Sequence, residues 1–139
     1  MTYAELRQAQ QKRINALPLY FAFSDKQFEE TMSKLGLTAN DTDKVCSIGF
    51  GGFCLNSDAK LVVDTFNETS DEMEKALEDD DFLQSAFEYE MANHEFGYTY
   101  DPEDTLESLG FSLNDLEKNE RIRKIFLTAK RNYLSKFED

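Results

Sequence analysis

The spacing of apolar residues along the chain predicts several helices joined by short loops. In these stretches apolar side chains recur every three or four residues, as they do on the buried face of an amphipathic helix. Thr69 and Glu72 form a capping-box pattern, so the helix over 58–78 is alternatively two helices with a break near Thr69. The predicted helices lie at about residues 3–16, 25–35, 58–78, 82–93, 102–109 and 120–136.

Shorter apolar runs predict a small antiparallel sheet. The aromatic run LYFAF (19–23) predicts a strand, and KVCSIGFGGFCLNSD (44–58) predicts a hairpin around Gly51-Gly52. A Gly-Gly pair suits a type I′ turn, because both of its central residues need a positive φ. EFGYTY (95–100) is expected to be a strand or an extended turn. These elements predict an α+β fold: a mostly helical single domain over 1–139 with a small antiparallel sheet.

The two cysteines, Cys46 and Cys54, are expected to be free thiols. A turn at Gly51-Gly52 pairs Phe50 with Phe53, and this register places the two cysteines on opposite faces of the hairpin. Such a register disfavours a disulfide between them. A zinc site needs more ligands than two cysteines and one histidine at unrelated spacings. No metal and no other cofactor is therefore expected.

The formal charge of the chain is −13, and one segment carries the excess. Residues 58–107 contain 17 acids and two bases, whereas residues 1–57 are balanced and residues 108–139 are slightly basic. Such a segment repels nucleic acid and anionic membranes and attracts basic protein surfaces. No apolar run approaches the roughly 20 residues that cross a bilayer, and the first residues do not resemble a secretory signal. A soluble cytoplasmic protein is expected.

The acids from Asp64 to Glu78 fall opposite the apolar side of the helix predicted over 58–78. Like-charged pairs four residues apart, such as Asp64 and Glu68, each cost a few tenths of a kcal/mol, and side chains at this spacing lie roughly 5–6 Å apart. That spacing is comparable to the spacing of phosphates along a nucleic-acid strand. The pattern favours a surface that mimics DNA, and the alternative is a solvated face that keeps the protein in solution. The predicted partner-binding acids are Asp64, Glu68, Asp71, Glu72, Glu74, Glu78, Asp79, Asp80 and Asp81.

The only histidine, His94, precedes Glu95. A histidine beside a carboxylate can act as a general base or bind a metal. The favoured interpretation is a histidine that satisfies carbonyl groups at the C-terminus of a helix. The run IGFGGF (48–53) lacks the glycine spacing of a phosphate-binding loop, and a hairpin turn explains it. The chain is therefore expected not to be an enzyme.

Three stretches carry a resemblance to a known group of proteins. They are LPLYFAFSDKQFEETMSKLGL, SIGFGGF and NHEFGYTYDPEDTLESLGF. They resemble small acidic proteins of unknown function from bacteriophages and mobile elements of Firmicutes, over roughly Leu17 to Phe126. The resemblance implies no catalytic residues. It implies a genetic context in which anti-CRISPR and anti-restriction inhibitors are frequent, which is an analogy of context and not of residues.

These observations favour a non-enzymatic inhibitor. We expect it to bind the basic nucleic-acid channel of a host defence nuclease, such as Cas9, and to block DNA, without contacting nucleic acid or membrane itself. Tyr98 and Tyr100 are the expected aromatic anchors beside the acids. One alternative is a protein-interaction or regulatory module with an incidental acidic face. A weaker alternative is a small enzyme that uses His94 and Glu95. The target and the oligomeric state stay open.

Overall fold

A computed structural model describes residues 1–138, with side chains described as far as Lys136. Helices hold 69% of the residues, and three short strands form an antiparallel sheet, which confirms the predicted mostly helical α+β class. The chain forms two compact units. The helical unit comprises residues 1–9 and the chain from Asp71 onward, and the sheet unit comprises residues 10–70. The prediction of a single domain stays a prediction.

The elements follow the predicted order closely. The strands are β1 (Tyr20–Phe21), β2 (Val45–Gly49) and β3 (Gly52–Leu55), and short 3₁₀ turns precede β2 and follow β3. The helices are α1 (Tyr3–Asn15), α2 (Asp25–Lys34), α3 (Ala59–Ala76), α4 (Asp80–Asn93), α5 (Phe96–Thr99), α6 (Glu103–Ser108), α7 (Leu113–Lys118) and α8 (Glu120–Glu138).

Side-chain caps fix several helix ends where the sequence predicts them. The Ser24 hydroxyl accepts a hydrogen bond from the Gln27 amide at the start of α2. Thr2 and Glu5 bond reciprocally at the start of α1. Gly36 and Gly110 adopt a positive φ just after α2 and α6. Each of these devices satisfies polar groups that the helix leaves unpaired at its ends.

Around residues 69–100 the structure decides between the two predicted alternatives for α3 and differs from the prediction at α4 and α5. α3 is continuous through Thr69, because the Thr69 hydroxyl donates to the Phe66 carbonyl and does not cap a second helix. α4 is capped by Asp79 and begins at Asp80, two residues before the predicted start at residue 82. EFGYTY is not extended, since Phe96 is buried and its segment forms the short helix α5.

The hairpin turn also differs from the prediction. The sheet order is β1-β3-β2, and Gly49 pairs with Gly52, so the turn residues are Phe50 and Gly51. A Cβ on Gly52 would lie 2.8 Å from the Ile48 side chain. Glycine at this position therefore allows the Ile48 side chain to pack closely against the strand. The predicted pairing of Phe50 with Phe53 is therefore wrong.

The shifted turn changes the placement of the cysteines. Cys46 is directly opposite Cys54 in the β2–β3 ladder. Directly opposed side chains lie on the same face of an antiparallel pair. The prediction of opposite faces is wrong, because it depended on the turn position.

Aromatic rings join α4, α5 and α8 in the core of the helical unit. Phe87 and Phe96 each meet Phe126 edge to face, at centroid distances of 5.3 and 6.2 Å. Edge-to-face pairs are favourable beyond the apolar area that they bury. This core holds the N-terminus of α4 and the end of α3 in place. Within the described residues, no helix combines the length and the apolar character needed to cross a bilayer.

Candidate acidic partner interface

Seven acids of the helical unit lie in one stretch of chain, residues 71–81, which we call the acidic segment. Asp71, Glu72 and Glu74 belong to the last turns of α3, Glu78 lies in the connecting turn, and three aspartates begin α4. All seven acids are exposed. The connecting turn keeps helical hydrogen bonds, since the amides of Leu77 and Glu78 bond to the carbonyls of Met73 and Lys75.

Asp64 and Glu68 lie earlier on α3, in the sheet unit, and each has a basic partner. Lys60 Nζ lies 2.6 Å from Asp64 Oδ2, and this hydrogen bond raises the pKa of Lys60. Arg13 Nη2 lies 2.9 Å from Glu68 Oε2. The sequence pattern does not reveal the second pair, because its members are 55 residues apart. These two predicted interface acids are thus partly neutralised within the chain.

Three acids stabilise the start of α4. Asp79 accepts a hydrogen bond of 2.8 Å from the Phe82 amide, while Asp80 and Asp81 lie in the first turn, where the helix dipole favours negative charge. Asp80 Oδ1 also lies 2.7 Å from Arg121 Nε. These contacts give the three aspartates a structural role besides any role in binding.

Arg121 connects this helix start to the end of α3. Its Nη2 atom donates to the carbonyls of Leu77 and Glu78, at 2.9 and 2.8 Å. A cation in this position satisfies carbonyl groups and offsets the negative end of the α3 dipole. The sequence gives no sign of this partner, which lies 41 residues after Asp80.

Three exposed carboxylates of the acidic segment have no structural role of this kind, either as a helix cap or in an ion pair. Among the side chains that the structure describes, as far as Lys136, none forms an ion pair with Asp71, Glu74 or Glu78, and none of these three acids caps a helix. They are spaced three and four residues apart, which places them on neighbouring turns. We call Asp71, Glu74 and Glu78 the unpaired acids. Within the acidic segment, they are the carboxylates that these structural contacts leave available to a basic partner.

A groove that Glu72 and Asp79 of the acidic segment help to line combines apolar and acidic groups. Its volume is about 590 Å³. Leu6, Ala76 and Phe82 supply apolar walls, while Glu72 and Asp79 bring carboxylates to it. A groove of this composition suits an apolar side chain next to a basic one.

The tyrosines predicted as anchors are exposed but lie away from the acidic segment. Tyr98 and Tyr100 retain 76% and 58% of their accessible surface. They follow the C-terminus of α4, whereas the aspartates begin its N-terminus. The 14 residues of α4 separate the two sites by about 20 Å, at 1.5 Å per residue. The structure therefore does not bring the predicted anchors and acids together.

A second cluster of polar side chains surrounds Glu90, which is 2% exposed. Tyr3 Oη and Arg7 Nη1 donate to Glu90 Oε1 at 2.7 and 2.8 Å, and Asn93 donates to Oε2. Burial, followed by the hydrogen bond to Glu90, raises the pKa of Tyr3 above its ordinary value. The donors satisfy a carboxylate that would be costly to bury alone.

His94 belongs to this cluster, and its carboxylate partner is Glu90, not Glu95. His94 Nε2 lies 2.7 Å from Ser108 Oγ and 3.3 Å from Glu90 Oε2. The Ser108 hydroxyl donates its proton to the Asp104 carbonyl, so its oxygen accepts from Nε2–H. Both contacts thus require the proton on Nε2, whereas a base that activates a serine needs that nitrogen unprotonated. The geometry gives His94 a structural role at the end of α4.

Metal-binding groups do not converge in the described part of the chain. There, no three histidine, cysteine, aspartate or glutamate side chains are arranged to hold a metal ion. The arrangement that the structure does offer is electrostatic. It is an exposed row of carboxylates on a rigid helical frame.

The fold and the acidic segment define a mostly helical α+β protein with an acidic surface. The chain belongs to the family of unknown function DUF7659, whose model matches residues 2–132. Comparison with curated proteins and with solved structures gives no match. The match confirms that the chain resembles an uncharacterised family, and it leaves a phage or mobile-element origin as a hypothesis.

Proposed function

We propose that the protein is an acidic inhibitor that occupies the basic nucleic-acid channel of a partner protein. The observation that carries the proposal is the row of unpaired acids, Asp71, Glu74 and Glu78, on the helical frame of the acidic segment. Such a row offers a basic channel a series of negative charges on neighbouring turns. Binding of this row to the channel also releases counterions, as binding of nucleic acid would.

The net charge supports this choice of partner. A chain with a formal charge of −13 repels nucleic acid and is attracted to basic protein surfaces. In a phage or mobile-element context, the partner is a host defence nuclease in the cytoplasm, such as Cas9, and the inhibitor acts by DNA mimicry. The acids carry the attraction, and no catalytic step is proposed.

The proposal is tested by capture of partners from a host lysate on the immobilised protein, with washes at low and high salt. The test variant replaces the three unpaired acids with lysine: Asp71→Lys, Glu74→Lys and Glu78→Lys. The matched control replaces the exposed acids Glu29, Glu30 and Glu107 with lysine and changes the net charge equally. Neither variant removes the cap at Asp79 or the ion pair at Asp80.

The expected result is a nucleic-acid enzyme that wild type and control capture at low salt and release at high salt. The test variant is expected to lose this partner, because its row of charge is reversed while the caps are kept. Circular dichroism checks that both variants fold. A partner that the folded test variant binds as well as wild type would refute the assignment to the unpaired acids.

A second candidate function is a protein-interaction module that binds through apolar surface. Three phenylalanines around the hairpin turn favour it: Phe21, Phe23 and Phe50 are 54%, 76% and 98% exposed. A cluster of exposed aromatic side chains is uncommon on a protein without a partner. Under this alternative, the captured partner withstands high salt and is lost when Phe23 and Phe50 are replaced by serine.

A further inference from the structure

Cys46 and Cys54 lie opposite each other in neighbouring strands. They are a directly opposed pair in the β2–β3 ladder, so their side chains share one face of the hairpin. Opposed residues of antiparallel strands have Cα atoms about 4.5 or 5.5 Å apart, depending on their place in the ladder. Both separations fall within the roughly 4.4–6.8 Å range that disulfides span. The Cα separation of an opposed pair is therefore compatible with a disulfide.

Both thiols also line one cavity. Its volume is about 280 Å³, and Val62, Val63 and Phe66 of α3 supply its apolar wall. Cys54 is fully buried, whereas Cys46 is half-buried and thus the thiol that an outside reagent reaches first. Burial, followed by the nearby Cys46, raises the pKa of Cys54. The two thiols therefore differ in their access to solvent.

We propose that Cys46 and Cys54 form a dithiol modification site that a hydroperoxide oxidises to a disulfide across the β2–β3 hairpin. The site is independent of the acidic segment. In the reduced protein both cysteines are free thiols. In the oxidised protein the bond ties the edge strand β2 to the central strand β3.

The reaction takes two steps. The Cys46 thiolate attacks the terminal oxygen of the hydroperoxide, and the O–O bond breaks to give a sulfenic acid and an alcohol, or water from hydrogen peroxide. The Cys54 thiolate then attacks the Cys46 sulfur, the S–O bond breaks, and hydroxide leaves and takes up a proton as water. The two thiols together lose two electrons and two protons, and the hydroperoxide takes up both to give the alcohol and water.

The test treats the full chain, reduced and freed of reductant, with hydrogen peroxide. The expected product weighs two hydrogens less than the reduced chain, has no thiol that reacts after denaturation, and yields a peptide in which Cys46 is linked to Cys54. Dithiothreitol is expected to restore both thiols. Wild-type protein alone gives this readout, so the test does not depend on a variant that folds.

Two variants serve as controls. Cys46→Ser and Cys54→Ala each keep one thiol and are expected to gain oxygen or to cross-link between chains, without the loss of two hydrogens. Alanine replaces the buried Cys54 because it adds no polar group to the cavity. Wild-type protein that gains oxygen at either cysteine, or that forms only links between chains, with no internal disulfide, would overturn the proposal.

Discussion

At the scale of single residues, buried Glu90 shows how the fold accommodates a charge in its interior. Its two oxygens receive hydrogen bonds from Tyr3, Arg7 and Asn93, and His94 Nε2 lies 3.3 Å from Oε2. The Arg7 guanidinium also lies 5.4 Å from the centre of the Tyr89 ring. The cluster anchors the start of α1 to α4 within the helical unit. His94 therefore has a structural role in the helical unit, as a member of this cluster.

Because of the Tyr3 hydroxyl, the stability that this cluster contributes depends on pH. Its folded-state pKa is raised above the ordinary value of 10.0, so the folded chain keeps a proton that the unfolded chain loses. The stabilisation is full below about pH 10 and falls as the pH rises above it. Tyr3→Phe is expected to lower the free energy of unfolding by about 1 kcal/mol at pH 7, with a smaller deficit at pH 11. Urea unfolding at both pH values measures the difference.

The control for this prediction is Tyr100→Phe, which changes an exposed tyrosine. This variant is expected to follow wild type at both pH values. If Tyr3→Phe lowers the free energy of unfolding equally at pH 7 and pH 11, the prediction is contradicted. The Tyr3 hydroxyl would then ionise equally in the folded and the unfolded chain.

Phe50 adopts a backbone conformation that its side chain disfavours. Its φ is +54° at the hairpin turn, and its ring is 98% exposed. Asparagine tolerates this conformation better than phenylalanine, and the exposed ring contributes little burial. Phe50→Asn is expected to raise the free energy of unfolding by about 0.5–1 kcal/mol. A variant that unfolds at lower urea concentration than wild type would show that the ring stabilises the hairpin.

At the scale of elements, the junction of α3 and α4 separates structural acids from available ones. Asp79 caps α4, Asp80 pairs with Arg121, and Arg121 binds the last carbonyls around α3. The side-chain carboxylates of Asp71, Glu74 and Glu78 take no part in these contacts, although the backbone carbonyl of Glu78 does. A charge-reversal test that included Asp79 or Asp80 would disturb the fold as well as the surface.

The capping role predicts unequal effects of neighbouring aspartates. Asp79→Ala is expected to lower the free energy of unfolding by about 1 kcal/mol, since it removes the hydrogen bond to the Phe82 amide. Asp81→Ala removes only a favourable charge near the helix dipole, worth about 0.3 kcal/mol at an exposed site. Urea titration followed by circular dichroism compares the two. A larger loss for Asp81→Ala would place the cap at Asp81.

Much of the element layout could be predicted from the sequence because it depends on neighbouring residues. The helix caps at Thr2 and Ser24 and the apolar periodicity of α3 involve residues within a few positions of each other. The hairpin register could not be predicted in this way. It depends on Gly52 packing against Phe21 and Ile48, which belong to different strands. The short helix α5 was missed because burial of Phe96, and not local alternation, decides its conformation.

At the scale of the whole molecule, the sequence predicts where the charge lies but not which charges are available. The ion pairs of Glu68 and Asp80 join positions 55 and 41 residues apart, so only the structure reveals them. Family membership adds no activity, because DUF7659 is a family of unknown function. The proposal of an inhibitor therefore depends on the surface chemistry of the acidic segment.

The most direct test of this central proposal is a competition measurement with the captured nucleic-acid enzyme. Fluorescence anisotropy follows a labelled DNA duplex bound to the enzyme while wild-type protein, the variant without the unpaired acids or the matched control is added. The account predicts that wild type and control displace the DNA, less effectively as salt increases, and that the variant does not. Simultaneous binding of DNA and wild-type protein to the enzyme, with no displacement at any salt concentration, would contradict it.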